Sequence, residues 1–381
     1  MRPIALAALV FAAAPSLAQA TPAYPKAANA KPIFLALPNH RLQSPAGAPL
    51  APLTQWNGSF TDQLGQNITY VMAGTDPAAT NTATKVRVLI VPVKMVFGAT
   101  NGNMTFDPLA VTLPNGKSLI DNVLASPLFS KGSRFRQGRT FVGSGQYIDA
   151  YQRANFWSSV STNRGYHVNF VVSGVLPEMT VNVSAAQGMV ATNPFGSNPA
   201  GQMYVNDFDT QVLAYISATR RIRPDTLPLF ISYDTYLTEV PLEACCIGGY
   251  HSAVASEPNG QTYAYTTYED EAGSFSQDVS AMSHELGEWM DDPFTDNAVN
   301  CLDNSIMEVG DPLENNANYG AYPYLLNGFT YNLQSLVFID YFGAPTTGPV
   351  NGWYSFQNDM AGRCPGQGGT PARQAAFRLS H

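Results

Sequence analysis

Charge is what this 381-residue sequence has least of. Only 13% of its residues are Asp, Glu, Lys or Arg, about half the share usual in soluble domains. The 20 basic residues are outnumbered by 28 acidic ones, for a net charge of −8 and a pI near 5.1. The positive footprint that a phosphate backbone or an anionic membrane demands is missing, so no nucleic-acid partner is expected. Long apolar runs are scarce as well. Beyond the first twenty residues none is long enough to cross a bilayer, and no membrane span is expected. Heptads and internal repeats are absent, which argues against coiled coils and solenoids. Hydrophobic residues still make up 45% of the chain, enough for one dominant core.

Cysteine is sparse too, at four residues. Its meaning depends on the N-terminus, MRPIALAALVFAAAPSLAQA, where Arg2 precedes an apolar run from Ile4 to Ala14 and a small-x-small ending at Ala18 and Ala20. Residues 1–20 read as a signal peptide, with a secreted or periplasmic product as the expectation. An oxidising compartment favours disulfides. Cys245 and Cys246 are neighbours, and the trans-peptide Cα spacing of about 3.8 Å lies below the usual disulfide range. Each is therefore expected to pair with one of Cys301 and Cys364. A four-sulfur zinc site would need two C-x-x-C knuckles, which the sequence lacks.

Residues 21–80, rich in Ala, Pro, Asn and Thr, read as an extended N-terminal segment and linker. From Lys85 the run KVRVLIVPVKMVF predicts a central strand, with a bend or bulge at Pro92. Helical spacing predicts helices over 118–129, 146–160 and 208–222, and in the second of these Asp149 and Arg153 are spaced to pair. HVNFVVSGV, MTVNVSA and LPLFISYDTYL read as strands, and Asn259-Gly260 marks a hairpin. The Gly-rich tail 366–381 reads as frayed.

The segment SFSQDVSAMSHELGEWMDDP (274–293) predicts a helix, opened by the capping box Ser274/Gln277 and stopped by Pro293. Phe275, Val279, Met282, Leu286 and Met290 give it one buried face. His284 and Glu288, four apart, stack on another side with Glu285 beside them, a metal-ligand pair with an adjacent carboxylate. Asp291, Asp292, Asp296, Asp303, Glu308 and Asp311 crowd the following stretch. A carboxylate beside an activated water suits general base work, which assigns Glu285 that role. Asp and Glu oxygens bind zinc as histidine nitrogen does, so Glu288 is an acceptable ligand. For the third ligand two residues stay open: Glu308, and His251 in GGYHSA, which a Cys246–Cys301 bridge would draw toward the helix. Asp311 is a supporting partner. Tyr250, Tyr319, Tyr322 and Tyr324 are candidate oxyanion donors. DDPFTDNAVNCLDNS is oxygen-rich enough to suggest calcium, without the spacing of an EF-hand. Serine hydrolysis is disfavoured, since Gly143-Ser144-Gly145 is no G-x-S-x-G elbow.

SHELGEWMDDP resembles the zinc-binding helix of zincin metallopeptidases, H-E-x-x-H, with Glu288 standing where the second histidine would be. In the gluzincin branch a glutamate further along the chain is the third ligand, and Glu308 in MEVGDPLE stands twenty residues after Glu288. A more distant resemblance is to exordium-like secreted proteins and their bacterial relatives, with H-E-L-x-E helices, E-I-x-D segments and a Y-N-containing C-terminal region, here Tyr331-Asn332. These likenesses cover residues 245–345, and two departures stand out: Glu288 itself, and Pro312-Leu313 in place of a cysteine-containing end. They imply an α+β, zincin-like fold over 81–365, a mixed twisted sheet with an active-site helix and a disulfide-tied C-terminal region. The implied activity is a secreted zinc-dependent metalloendopeptidase acting on a peptide or protein substrate, which an edge strand at 263–269 would hold by β-addition. The alternative is a non-catalytic extracellular protein with a structural metal.

Overall fold

The computed structural model describes residues 24, 30–40, 51–241, 243–255, 259–348 and 353–367. The expected signal peptide and most of the tail lie outside the described residues. The first third of the chain forms β1 (Ile33–Ala36), β2 (Gln55–Thr61), β3 (Asn67–Ala73), β4 (Ala83–Phe97), β5 (Met104–Phe106) and α1 (Leu119–Ala125). Then come β6 (Ser133–Gln137), β7 (Thr140–Gly145), α2 (Tyr147–Asn155), α3 (Trp157–Val160), β8 (His167–Val175), β9 (Met179–Val183), β10 (Gly188–Thr192) and β11 (Pro199–Tyr204). The remainder is α4 (Val205–Ala218), β12 (Thr226–Tyr233), β13 (Thr235–Val240), β14 (Glu243–Ala253), β15 (Thr262–Tyr268), α5 (Ser280–Asp291), α6 (Asp311–Glu314), β16 (Ala321–Leu326) and β17 (Phe329–Gln334). The architecture is mixed α+β, mostly sheet with few helices.

Eleven strands form one mixed sheet in the order β10-β11-β13-β14-β15-β12-β4-β5, with β1 added to β14 and both β8 and β9 to β4. The β12 strand lies parallel to both β4 and β15, while β14 is antiparallel to β15 and β13. Strands covered on both faces read as nearly continuous apolar runs, and the middle of β4 does. Its Val86, Val88 and Ile90 enter one core while Leu89, Val91 and Val93 enter the other. Pro92 falls where the partner of β4 changes from β8 to β9, between the registers Ile90↔Val175 and Val93↔Met179.

Helix α5 lies on one face with Val279, Met282, Leu286, Trp289 and Met290 in the larger core. Each such side chain contributes about 1.5–3 kcal/mol by leaving water. Helix α4 covers the other face through Val205, Phe208 and Val212. Since β14 and β15 lie under α5, the period-2 alternation of β14 aims Tyr250 at the α4 side and His251 at the α5 side.

Several sequence expectations need correction. Cys245 is bonded to Cys246, across a cis peptide that sets their Cα atoms 3.0 Å apart, and Cys301 is bonded to Cys364. The expectation had assumed the trans spacing. The Cys301–Cys364 bridge does tie the C-terminal region to the segment after α5. LPLFISYDTYL forms two strands, because Asp234 takes a left-handed conformation (φ 46°), which Asp tolerates, and sends β13 to the far side of β14. The strand at 263–269 is no edge: β15 is paired on both sides, by β14 and β12. Residues 21–80 carry β1 and the β2–β3 hairpin, whose Ile68, Tyr70 and Met72 are core residues. Asp149 binds His167 Nδ1 at 2.7 Å and the amide of Val168, while Arg153 donates to the carbonyls of Val142 and Tyr166. The expected Asp149–Arg153 pair is thus replaced by partners from neighbouring strands.

Candidate metal centre

Helix α5 begins later than its sequence suggests. Gln277 accepts a hydrogen bond from the amide of Gly273, so the S-x-x-Q box closes a turn, and the helix starts at Ser280. Asp278 holds that turn to β17 by accepting from the backbone and side chain of Asn332. The helix is buried along its whole length, so His284, Glu285 and Glu288 are at 0% exposure. Charged residues are almost never buried without partners.

Two glycines allow this close approach. A Cβ on Gly249 of β14 would stand 2.7 Å from Cγ of Glu285, and one on Gly310 would stand 2.5 Å from the ring of His284. The loop before α6 therefore lies directly on the histidine, and the amides of Gly310 and Asp311 donate to Glu288 Oε1.

Each histidine is oriented by its outer nitrogen. His251 Nε2 lies 3.1 Å from the carbonyl of Asp292, which can only accept, so Nε2 carries the proton and Nδ1 the lone pair. That lone pair faces Glu285 Oε2 at 3.3 Å, and Glu288 Oε2 and Glu308 Oε2 at 3.9 Å each. His284 Nδ1 lies 2.9 Å from Gln334 Oε1, whose amide nitrogen donates to the carbonyl of Gly310. This arrangement sets Nδ1 of His284 as donor and turns Nε2 inward, 2.9 Å from Glu288 Oε1 and 3.4 Å from Asp311 Oδ1. Tying the outer nitrogen of an imidazole to an oxygen is the usual support of a metal ligand.

The inward atoms lack hydrogen-bond partners. Glu285 Oε1, Glu288 Oε2 and both oxygens of Glu308 are buried without one, and His284 Nε2 and Asp311 Oδ1 have only the ion pairs just given. Among the described residues no Lys or Arg forms an ion pair with the cluster. The electrostatics follow from burial. It raises the pKa of Glu285 well above the carboxylate range, with Glu288 adding to the rise, and does the same for Glu308. Burial also pushes up Asp311, to about 6. It would lower His284, but Glu288 and Asp311 reverse this and raise His284 well above its usual value. Glu288 is held at about 2 by His284, against its own burial, and burial takes His251 down to about 4.

Of the residues singled out in the sequence, His251, His284, Glu285, Glu288, Glu308 and Asp311 come together. Glu308 and His251, the two residues left open as third ligand, each have an atom within 4.8 Å of the other and of Glu288. No disulfide draws His251 in; the packing of β14 against α5 does. The other acids are used elsewhere. Asp291 accepts from Tyr151, Gln152 and Asn155, and Asp292 accepts from the amides of Asp296 and Asn297. Tyr250 lies on the opposite face of the sheet, hydrogen-bonded to Asp209, and is no donor to this centre. Tyr319 packs on Phe195 and Phe275, and Tyr324 binds the backbone of Arg134.

Four contributors were not anticipated. Gln334 fixes the ring of His284, and Phe34 of β1 stacks on that ring with centroids 3.8 Å apart. Glu314 takes a hydrogen bond from the backbone of Phe34 and is pushed up to about 8 by burial and by Asp311. Gly249 makes room for Glu285. Only the Gly248-Gly249 pair just before His251 was a visible signal of close approach.

No family model, curated protein or solved structure matches the chain. Among the described residues no helix is long and apolar enough to cross a membrane.

Proposed function

We propose that this centre binds zinc and hydrolyses peptide bonds, in an exported protein built as a variant of the zincin metallopeptidases. The observation that carries the reading is the pair of imidazoles, each tied by its outer nitrogen and aiming its other nitrogen at buried carboxylates, of which Glu285, Glu288 and Glu308 keep oxygens without a donor. Two nitrogens with carboxylate oxygens suit zinc better than calcium, which takes six to eight oxygens. His251, His284, Glu288 and Glu308 would hold the ion.

Bound there, zinc would supply Lewis-acid polarisation of a carbonyl and of water. The chain's own groups do the rest. Glu285 takes the proton of the attacking water and returns it to the leaving amine. Asp292 and Gln334 keep the two rings in their tautomers. Asp311, on α6, has a side chain 32% exposed while the Oδ1 facing His284 stays buried. The place beside His251 on β14 is filled by the chain itself, since residues 31–40 run along β14 with Leu37 donating to the carbonyl of His251 and His40 to that of Ala253; the peptide substrate rests on the resemblance of the α5 helix to the zincin motif.

A second reading, a structural ion in a non-catalytic exordium-like protein, draws on the burial: Glu308 is 2% exposed, the other ligands fully buried, and Phe34 covers His284. Closed sites are structural as a rule. The variant Glu285→Gln separates the two. Retained zinc with peptide hydrolysis reduced about 10²–10⁴-fold is expected for a lost general base. Hydrolysis unaltered by the substitution, or none in the parent protein, would overturn the enzymatic reading.

A further inference from the structure

We infer that the centre holds two divalent transition ions, bridged by Glu288, rather than one. This rests on the metal reading above and not on the peptidase activity. The donors fall into two groups, His251 with Glu288 and Glu308, and His284 with Glu285 and Glu288, and within each group one donor atom per residue lies within 4.8 Å of the others. The two imidazoles belong to different groups, and Glu288 is the member they share.

The sharing is divided between its two oxygens. Oε1 lies 2.9 Å from His284 Nε2, and Oε2 lies 3.9 Å from His251 Nδ1. A carboxylate set between two inward-facing nitrogens in this way would bridge, one oxygen to each ion, with Oε1 also accepting from the amides of Gly310 and Asp311. Further donors complete both sides. Glu308 stands on the His251 side, 3.9 Å from Nδ1, with both oxygens buried and unpartnered. Asp311 Oδ1, also unpartnered, stands on the His284 side, 3.4 Å from Nε2. Glu285, the proposed base, lies beside both, with Oε2 3.3 Å from His251 Nδ1 and a place in the His284 group.

Charge points the same way. Glu285, Glu288, Glu308, Asp311 and Glu314 surround the two rings, and among the described residues no basic side chain pairs with them. One dication would leave most of that formal charge uncompensated in a region where uncompensated charge is costly; two would nearly balance it. The His284 side, with the partly exposed Asp311, is the weaker of the two.

The test is stoichiometry, read without any substrate. The full chain is stripped with chelator and titrated with Zn2+, by calorimetry and by elemental analysis after dialysis, with far-UV circular dichroism as the check of fold. Two equivalents per chain are expected, falling to one in Asp311→Asn. Loading with Mn2+ is expected to give the multi-line paramagnetic resonance of a coupled pair. One equivalent at saturation in the folded parent protein, with an uncoupled Mn2+ spectrum, would overturn the two-ion centre and leave the zinc reading standing. No tight binding at all would overturn both.

Discussion

Strand β14 sets two neighbours on opposite faces of one sheet, and the faces handle a buried carboxylate differently. Tyr250 meets Asp209 of α4. That acid accepts from Tyr250 at 2.8 Å and Tyr263 at 2.7 Å, with His40 Nε2 at 3.0 Å. Its charge is met entirely by the chain. His251, one residue on, meets Glu285, Glu288 and Glu308 of the α5 side, where oxygens face lone pairs and one another. Burial of an acid by itself therefore does not distinguish the two faces; the supply of donors does. Hydrogen bonds satisfy the acid on the α4 side, while the α5 side keeps buried carboxylate oxygens without partners, the feature on which the proposed metal centre rests.

The contrast breaks most visibly if the proposed cations are taken away. Stripping the centre is expected to lower the unfolding free energy by about 3–4 kcal/mol per bound ion relative to protein kept at 100–1,000 times the dissociation constant. Urea denaturation with and without chelator measures this. A loss below about 1 kcal/mol would show that the α5 side stands as well alone as the α4 side.

A smaller effect is expected on the satisfied face. Asp209→Ala strands two tyrosine hydroxyls and His40, at a cost of about 1–3 kcal/mol for buried donors left unpaired. Zinc content should not change. Loss of zinc in this variant would show that the two faces are not independent.

The smallest effect concerns pH. Asp291, on α5 but supplied with donors, is raised by burial to about 7 in spite of Tyr151 and Gln152. The folded chain keeps a proton there that the unfolded chain gives up near pH 4. Stability from this group is therefore full below about pH 4, declines as the pH rises to about 7, and is level above. In Asp291→Asn, denaturation curves taken across that window should show a flatter decline than the parent's. An equal slope would assign the pH dependence to other groups.

Local pattern carried a good deal of this. The i, i+4 spacing of His284 and Glu288 needed only the geometry of a helix to bring them together, and the apolar spacing of Met282, Leu286 and Met290 was enough to say which side faces the core. The strand at β4 and the β14–β15 hairpin were legible for the same reason, since their signals lie within a dozen residues. The capping box at Ser274 misled because its glutamine closes a turn whose Asp278 is held by Asn332, more than fifty residues away.

Contacts across the sheet were beyond the reach of pattern. That His251 faces Glu285, that Gln334 fixes the ring of His284, and that Phe34 stacks upon it are consequences of strand order, which no local spacing encodes. The same holds for β15, whose alternation is that of any strand and whose place between β14 and β12 is set by the whole sheet. A helix determines its own neighbours at three and four residues, so the meeting of His284 and Glu288 was present in the order of amino acids. Whether a buried carboxylate finds donors or faces other lone pairs depends on residues brought from five separate parts of the chain, and only the folded structure decides it.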